Sequence, residues 1–256
     1  MTADQVRELR KQLIINDEPL KAYLLLKKVN LPELHPEVER TYSMIRHIFD
    51  YDFYKKYYSE SLPEIPSPEE HVLLADQIYP RWNWVLNKLS EEGAKTMLDV
   101  GCSDGVLTLT ASSRGVQSHG INLYKPSIEL AKQRAERLAL KNATFEAVDL
   151  LDMTEKKYDA VVAMEIIEHV PSPAKFLDRL NTLRSENGWV YLTTPNGCFD
   201  KGDGNRPDWD CKGPQDVRGH VRVYTKESME KQLEGWEIKE LSVNPDNLLY
   251  VQARKI

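Results

Sequence analysis

Apolar residues recur at helical spacing through the first part of the chain. Residues 2–15, 18–29 and 36–49 each carry Val, Leu, Ile or Met at intervals that fit one face of an α-helix. This pattern predicts a helical region over residues 1–65, serving as a lid, a substrate-contacting segment or an association module. A larger domain is expected to follow over residues 66–256.

From residue 96 the period of the pattern changes. Short apolar stretches typical of strands alternate with helical patterns, which predicts an α/β domain with a doubly wound, mostly parallel sheet covered by helices on both faces. The pattern from Pro68 to Leu89 predicts one helix leading into this sheet, and the short sequence NPDN between the last two strands predicts a hairpin. The predicted strands are residues 96–100, 116–122, 143–147, 160–164, 189–194, 236–243 and 248–253, with helices over 106–113 and 126–140.

The first predicted strand ends in a loop of small residues, Gly101 to Gly105, within TMLDVGCSDG. Glycine lacks a Cβ and accepts positive φ, so such a loop lets the backbone approach a ligand and directs the amides of the next helix toward it. In sheets of this kind, ligands bind beyond the carboxyl ends of the strands. Because the same pattern occurs in dinucleotide-binding folds and as plain packing, the loop alone predicts only a nucleotide-type crevice.

Four blocks of sequence, in this order and spacing, resemble the class I S-adenosylmethionine (SAM) dependent methyltransferases. They are LDVGCSDG (98–105), HGINLYKPSIELA (119–131), FEAVDLLD (145–152) and YDAVVAMEIIEHV (158–170). The resemblance implies a Rossmann-like methyltransferase fold with a seven-stranded sheet, the hairpin at one sheet edge, an N-terminal helical extension, and SAM as cofactor.

The resemblance also implies which residues surround the methionine end of SAM. The loop from Gly101 to Gly105 would pass beneath it, with Asp99 either accepting a hydrogen bond from the SAM ammonium or tying down the loop. Ser103 stands where the family usually has a glycine, and a serine fits there only if its φ is negative.

The nucleoside end of SAM involves the ends of the next two strands. Asn122 stands where the family usually has an acid that accepts from both ribose hydroxyls, and a neutral amide loses charge-assisted bonds, so we expect weaker SAM binding. Asp149 would accept from the adenine amino group, and Leu150 would supply a neighbouring backbone amide. Leu123 and Glu165 complete the predicted cofactor-binding set.

The sequence EIIEH after the fourth strand carries the candidate chemistry. In a helical turn, Glu165, Glu168 and His169 would share one side, and His220 follows the neighbouring fifth strand. Together these four residues could hold a divalent metal such as Mg, Mn, Zn or Fe. This ExxEH motif with a later histidine resembles the quinone-biosynthesis O-methyltransferases and the small-RNA 3′-end 2′-O-methyltransferases. We predict Glu165, His169 and His220 as catalytic; in the alternative, Glu165 contacts only the cofactor, His169 is a lone base and His220 pairs with a glutamate.

Two further segments are candidates for covering the crevice. The aromatic stretch YDFYKKYYSE (51–60) would either stack on bases or sugars or seal the helical region against the core, and the resemblance makes Tyr57 and Tyr58 candidate lid residues. The polar stretch 196–219, rich in Gly and Pro, is either a substrate wall, with Arg206 and Trp209 as contacts, or a surface loop.

Composition excludes several classes of protein. The formal net charge is −6, and the first 88 residues hold 12 Lys or Arg against 14 Asp or Glu, without the basic excess of a non-specific nucleic-acid binder. No apolar run approaches the length of a membrane span, and the three cysteines lack CxxC spacing, which predicts reduced thiols. We therefore expect a cytoplasmic protein without a membrane partner, with a homodimer as one option.

These features predict a SAM-dependent methyltransferase that acts on a hydroxyl oxygen of a small molecule or sugar, because a rim of carboxylates and imidazoles suits removal of a hydroxyl proton. One alternative is a 2′-O-methyltransferase of RNA ends, which the charge balance disfavours. The other is a SAM-binding, non-catalytic partner protein, in which the rim residues would have no chemical role.

Overall fold

The helical region predicted at the front of the chain is present. The computed structural model describes residues 2–15, 18–29, 31–61, 66–197, 220–222 and 224–256. The first helices are α1 (Ala3–Ile15), α2 (Pro19–Val29), α3 (His35–Phe49) and α4 (Tyr51–Lys56), followed by one π-helical turn (Tyr57–Ser61). Val6, Leu26 and Leu34 are fully buried where α1 to α3 meet. The predicted helices are therefore present, with Val6 and Leu26 on their buried faces, but Leu9, Leu20 and Leu24, which the same spacing placed on the apolar faces, are exposed.

The single helix predicted from Pro68 to Leu89 is wrong. A 3₁₀ turn (Glu69–His71), a short α5 (Ala75–Ile78) and α6 (Pro80–Glu91) occupy this range. Tyr79 is extended, with φ −127° and ψ 125°, because the residue before a proline is disfavoured in the helical region. Pro80 then starts α6, where its fixed φ suits a first helical turn.

The remaining elements alternate between strand and helix as predicted, and the helices cover both faces of the sheet. They are β1 (Thr96–Val100), α7 (Val106–Ser113), β2 (Gln117–Asn122), α8 (Lys125–Arg137), β3 (Ala143–Ala147), β4 (Tyr158–Met164), α9 (Pro173–Leu183), β5 (Arg184–Pro195), α10 (Lys226–Gln232), β6 (Trp236–Val243) and β7 (Leu248–Lys255).

Within the described ranges, these strands form one seven-stranded sheet in the order β3-β2-β1-β4-β5-β7-β6. Strands β1 to β5 pair in parallel, and the hairpin of β6 and β7 pairs antiparallel at one edge, as the sequence predicted. The strand order reverses between β1 and β4, so the ligand crevice is expected beyond their carboxyl ends. No helix in the described part of the chain combines the length and the apolar character needed to cross a membrane.

Candidate active site

The loop after β1 is built on two glycines with positive φ. Gly101 has φ 74° and Gly105, the N-cap of α7, has φ 85°. A Cβ at Gly105 would lie 2.8 Å from the Phe145 ring, so the turn also requires the absence of a side chain. The prediction that Ser103 needs a negative φ is wrong, because its φ is 49°. The left-handed conformation costs a non-glycine residue about 1–2 kcal/mol, which the surrounding loop must offset.

Two buried aspartates hold this loop in place. Asp99 accepts a hydrogen bond from the Thr108 hydroxyl at 2.7 Å, which ties β1 to α7 and agrees with the loop-tying alternative. Burial raises the pKa of the Asp99 carboxyl to about 6. Asp104 pairs with the buried Arg134 at 2.8 Å and accepts from the Ser67 hydroxyl at 3.1 Å. Ser67, which precedes α5 in the chain, is thereby held against the glycine loop.

A cavity of about 460 Å³ opens at the carboxyl ends of β1, β2 and β4. Of the residues predicted to bind the cofactor, Gly101, Asn122, Leu123, Asp149 and Leu150 line it. Asp99, Ser103, Gly105 and Glu165 are not among the described residues of its wall. The crevice inferred from the glycine loop therefore exists, and it gathers the nucleoside-binding part of the predicted set.

Asn122 and Asp149 present oriented polar groups at this cavity. Asn122 Oδ1 accepts from the backbone N–H of Leu123 at 2.9 Å, which fixes the side-chain amide at the end of β2. Asp149 Oδ1 accepts from the Leu151 N–H at 2.9 Å and so caps a 3₁₀ turn (Leu150–Asp152). Both side chains are held by local bonds, as a preorganised binding site requires.

The other wall of the cavity comes from residues 48–58, here called the aromatic segment. Ile48, Phe49, Tyr51, Tyr54 and Tyr58 line the cavity from this side. The Tyr51 hydroxyl donates to Asp149 Oδ2 at 2.7 Å, and the Tyr58 hydroxyl lies 2.9 Å from Nδ1 of His169. Tyr57, the other predicted lid residue, is not among the described residues of the wall. The aromatic segment thus bonds both to Asp149 and to His169, on different sides of the cavity.

The EIIEH motif is not a helical turn, so the expected i, i+3, i+4 face is wrong. Glu165 directly follows β4 and has the left-handed conformation, with φ 59°. The residues after it form a tight turn in which the His169 N–H donates to the Ile166 carbonyl at 2.9 Å. This turn directs Glu168 and His169 toward His220, and Glu165 does not join their group. Ligand atoms of these three residues lie within 4.8 Å of one another.

We call Glu168, His169 and His220 the imidazole–carboxylate cluster. Nε2 of His169 lies 3.9 Å, and Nε2 of His220 lies 3.8 Å, from Glu168 Oε1. The two imidazole rings meet edge to face with their centroids 4.5 Å apart. The sequence-based expectation that the loops after β4 and β5 share one rim is confirmed for these three residues.

Glu168 is held from several sides. Its side chain is 1% exposed, and Oε2 accepts from the Thr194 hydroxyl at 3.0 Å. Its backbone carbonyl accepts from the N–H groups of Val221 and Arg222 at 2.8 and 3.2 Å, which brings the segment carrying His220 to the cluster. Burial, with the added effect of the Glu165 charge, raises the pKa of Glu168 well above its ordinary value.

The cluster has a donor set that suits a divalent metal ion. Burial and the neighbouring His169 lower the pKa of His220 to about 2, so this imidazole stays neutral, which is the form that binds metals. Among the described residues, Glu168 Oε1 is a buried oxygen without a hydrogen-bond partner. Two imidazole nitrogens and one carboxylate oxygen are typical ligands of Zn²⁺, Mn²⁺ or Fe²⁺.

Two contributors to the site were not predicted for the role they have. Thr194 orients Glu168, and as a polar residue at the end of a predicted apolar strand it was detectable. Arg222 donates to the Pro171 carbonyl at 2.9 Å and to the Val170 carbonyl, fixing the loop after His169, for which the sequence shows no signal. Arg206 and Trp209, predicted in the 196–219 stretch, lie outside the described residues.

Part of the chain matches a family of known proteins. A family described as a methyltransferase domain matches residues 74–238 of the chain. The ubiquinone biosynthesis O-methyltransferase of Leptothrix cholodnii is 34% identical over 135 residues, which is 50% of this chain and 57% of the relative. The chain thus spans little more than half the length of the curated relatives it matches.

Solved structures share the fold. Magnesium protoporphyrin IX methyltransferase from Synechocystis PCC 6803 with bound SAH has a TM-score of 0.59 at 17% identity, covering 81% of this chain and 100% of that one. The [4+2]-cyclase SpnF has a TM-score of 0.57 at 15% identity, covering 84% and 95%. At such identity the likeness concerns architecture, and a cyclase among these structures shows that the architecture alone does not set the reaction.

Proposed function

The chain belongs to the methyltransferase domain family with the class I fold, and from this membership we propose that it transfers the methyl group of SAM to a hydroxyl oxygen of a small molecule or sugar. One observation carries the proposal: Gly101, Asn122 and Asp149 share one cavity wall with His169. The groups predicted to bind the cofactor and a candidate base therefore face the same space.

The cavity residues fit a nucleoside bearing a charged chain. Asp149 would accept from the adenine amino group, and Asn122 would meet the ribose through its amide. A Cβ at Gly101 would collide with the Ile166 side chain, so the bare backbone forms the wall there. SAM, when bound, supplies an electrophilic methyl group on a sulfonium centre.

His169 is the group we propose for handling the acceptor's proton. Its ring nitrogen Nε2 would take the hydroxyl proton while the acceptor oxygen bonds to the methyl carbon. Such a transfer would leave the electron pair of the broken sulfur–carbon bond on sulfur, as a neutral thioether. The aromatic segment lines the cavity on the opposite side, where it would limit the access of water to the reacting groups.

Glu168, His169 and His220 would hold the metal in the metal-assisted form of this proposal. A divalent cation there would lower the pKa of a hydroxyl oxygen and fix its position. The support is the orphaned Oε1 of buried Glu168 between two imidazoles. Glu165 lies outside this group and would act on it through its charge.

The test is release of SAH by the purified chain given SAM and a panel of catechols, phenols, sugars and short RNAs. His169→Asn is expected to lower the rate by about 10² to 10⁴, the range for losing a general base, while SAM affinity is kept. Binding of SAM without turnover on any acceptor would favour a non-catalytic partner protein. Turnover only on RNA 3′ ends would show that the methyl acceptor is a nucleic acid.

A further inference from the structure

Tyr58 connects the N-terminal region to the imidazole–carboxylate cluster. Its hydroxyl oxygen lies 2.9 Å from Nδ1 of His169, and the two rings meet edge to face at 5.7 Å between centroids. The two residues stand 111 positions apart in the chain. The contact therefore exists only when the aromatic segment is packed over the cavity.

The position of the Tyr58 ring is fixed by its neighbours. The rings of Tyr54 and Tyr57 lie 5.0 and 5.1 Å away, and that of His47 lies 6.3 Å away, between centroids. Burial, together with these tyrosines and Glu168, raises the pKa of the Tyr58 hydroxyl far above its ordinary value. The group is therefore a neutral hydroxyl held at a defined place, able both to accept and to donate a hydrogen bond.

His169 needs one particular tautomer for the proposed chemistry. A neutral imidazole carries one hydrogen, and the partner at one nitrogen decides which form the other nitrogen takes. If Nδ1 carries the hydrogen, Nε2 offers a lone pair, which serves equally a base or a metal ligand. Nε2 lies 3.9 Å from Glu168 Oε1, beyond hydrogen-bond distance, so this carboxylate does not itself hold a hydrogen on Nε2.

We propose that Tyr58 is a positioning residue for His169: its hydroxyl oxygen accepts the Nδ1 hydrogen and so directs the Nε2 lone pair toward Glu168 and His220. The inference rests on the proposed function, because it assigns a role within the same site. It also makes the N-terminal region part of the active site, since His169 is set in its reactive form only when the aromatic segment is in place.

The test compares two substitutions that each remove one hydroxyl from the full-length chain. Tyr58→Phe keeps the ring and its packing but removes the acceptor. Tyr57→Phe is the matched control, because it makes the same change in a neighbouring ring outside the described cavity wall. The primary measurement is the tautomer of His169 from the ¹⁵N shifts of its ring nitrogens in metal-free protein. The second is the affinity for Mn²⁺ by calorimetry.

For Tyr58→Phe we expect His169 to change from the Nδ1–H form to a mixture or to the Nε2–H form. Mn²⁺ affinity should fall by roughly 10- to 100-fold, the effect typical of losing a group that orients a metal-binding histidine. SAM affinity should stay within about twofold, because the substitution removes a bond to His169 and keeps the tyrosine ring in the cavity wall. Tyr57→Phe should match the unsubstituted chain in all three measurements.

An Nε2–H form in the unsubstituted chain, or an unchanged tautomer in Tyr58→Phe, would overturn the inference. Failure of the proposed function has a different signature: no SAH would form with any acceptor, whatever the tautomer of His169. If the unsubstituted chain does not bind Mn²⁺, the tautomer and the rate of methyl transfer decide. A changed tautomer with a lower kcat then supports Tyr58 as the residue that positions a base.

Discussion

The Tyr51 hydroxyl donates a hydrogen bond to Asp149 Oδ2 at 2.7 Å across 98 positions of the chain. Asp149 already caps its own turn through the other carboxylate oxygen, so a carboxylate predicted to bind adenine also anchors the aromatic segment. Nearby, Lys55 pairs with Asp152 at 2.9 Å on the surface. Closure of the aromatic segment over the cavity is thereby linked to the group that would recognise the cofactor.

Removing the Tyr51 hydroxyl should therefore loosen the closed state. We expect Tyr51→Phe to raise the dissociation rate of SAM by about 3- to 10-fold, because a partly exposed bond to a carboxylate contributes on the order of 1 kcal/mol. Stopped-flow displacement of SAM measures this rate. Tyr42→Phe, which changes an exposed tyrosine of α3, is the control and should leave the rate unchanged. Equal rates in both variants would show that this bond does not retain the cofactor.

Substitution of Asp149 should weaken SAM binding more than substitution of its partner Tyr51. Asp149→Ala should weaken SAM binding by about 1–3 kcal/mol, the cost of losing a hydrogen bond to a charged group. Calorimetric titration with SAM checks this, with Asp152→Ala as the control on the exposed end of the same turn. An unchanged dissociation constant for Asp149→Ala would remove this residue from the cofactor site.

The local sequence pattern predicted much of the secondary structure and part of the candidate site. The strands and the meeting of Glu168, His169 and His220 follow from hydrophobic period and from the parallel order of β4 and β5. Glu165 lies outside this group because the motif is not helical: Glu165 follows the strand with φ 59° and begins a tight turn. The bonds made by Tyr51 could not be predicted, because no local pattern encodes how a separate helical region packs on the sheet.

The glycine loop offers a test of close packing. Gly105→Ala should destabilise the fold by about 2–5 kcal/mol, the sum of left-handed strain and overpacking against Phe145. Gly115→Ala is a matched control, since Gly115 also has positive φ, at 89°, but no atom lies within 4 Å of the added Cβ. It should cost only the strain, about 1–2 kcal/mol. Urea unfolding measures both, and equal losses would mean that the contact with Phe145 adds nothing.

Asp99 should give the stability a defined pH dependence. Its carboxyl pKa rises from 3.8 to about 6 in the fold, so the folded chain keeps a proton that the unfolded chain has lost. This contribution to stability is complete below pH 3.8 and is lost as the pH rises through about 6. Asp99→Asn cannot ionise, and it should be more stable than the unsubstituted chain at pH 7.5 by about 1–3 kcal/mol. Urea unfolding at pH 4.5 and 7.5 checks this, and an equal difference at both would exclude the titration.

Removal of metal ions tests the metal-assisted form of the proposed function. EDTA should abolish methyl transfer while leaving SAM affinity nearly intact, because Glu168 and His220 are not among the described residues of the cavity wall. Mn²⁺, Zn²⁺ or Fe²⁺ should restore the rate, since a site with two imidazoles suits these ions better than Mg²⁺, which prefers oxygen ligands.

His220→Ala should have the same effect as the chelator, because it removes one imidazole from the cluster without touching a cofactor motif. His35→Ala, an exposed histidine at the start of α3, is the control for the substitution. If His169 instead acts alone as a base, its loss should cost about 10² to 10⁴ in rate, while EDTA and His220→Ala change little. Full activity in EDTA would then leave Glu168 and His220 with a different task, which is to hold and orient the His169 ring through the contacts they already make with it.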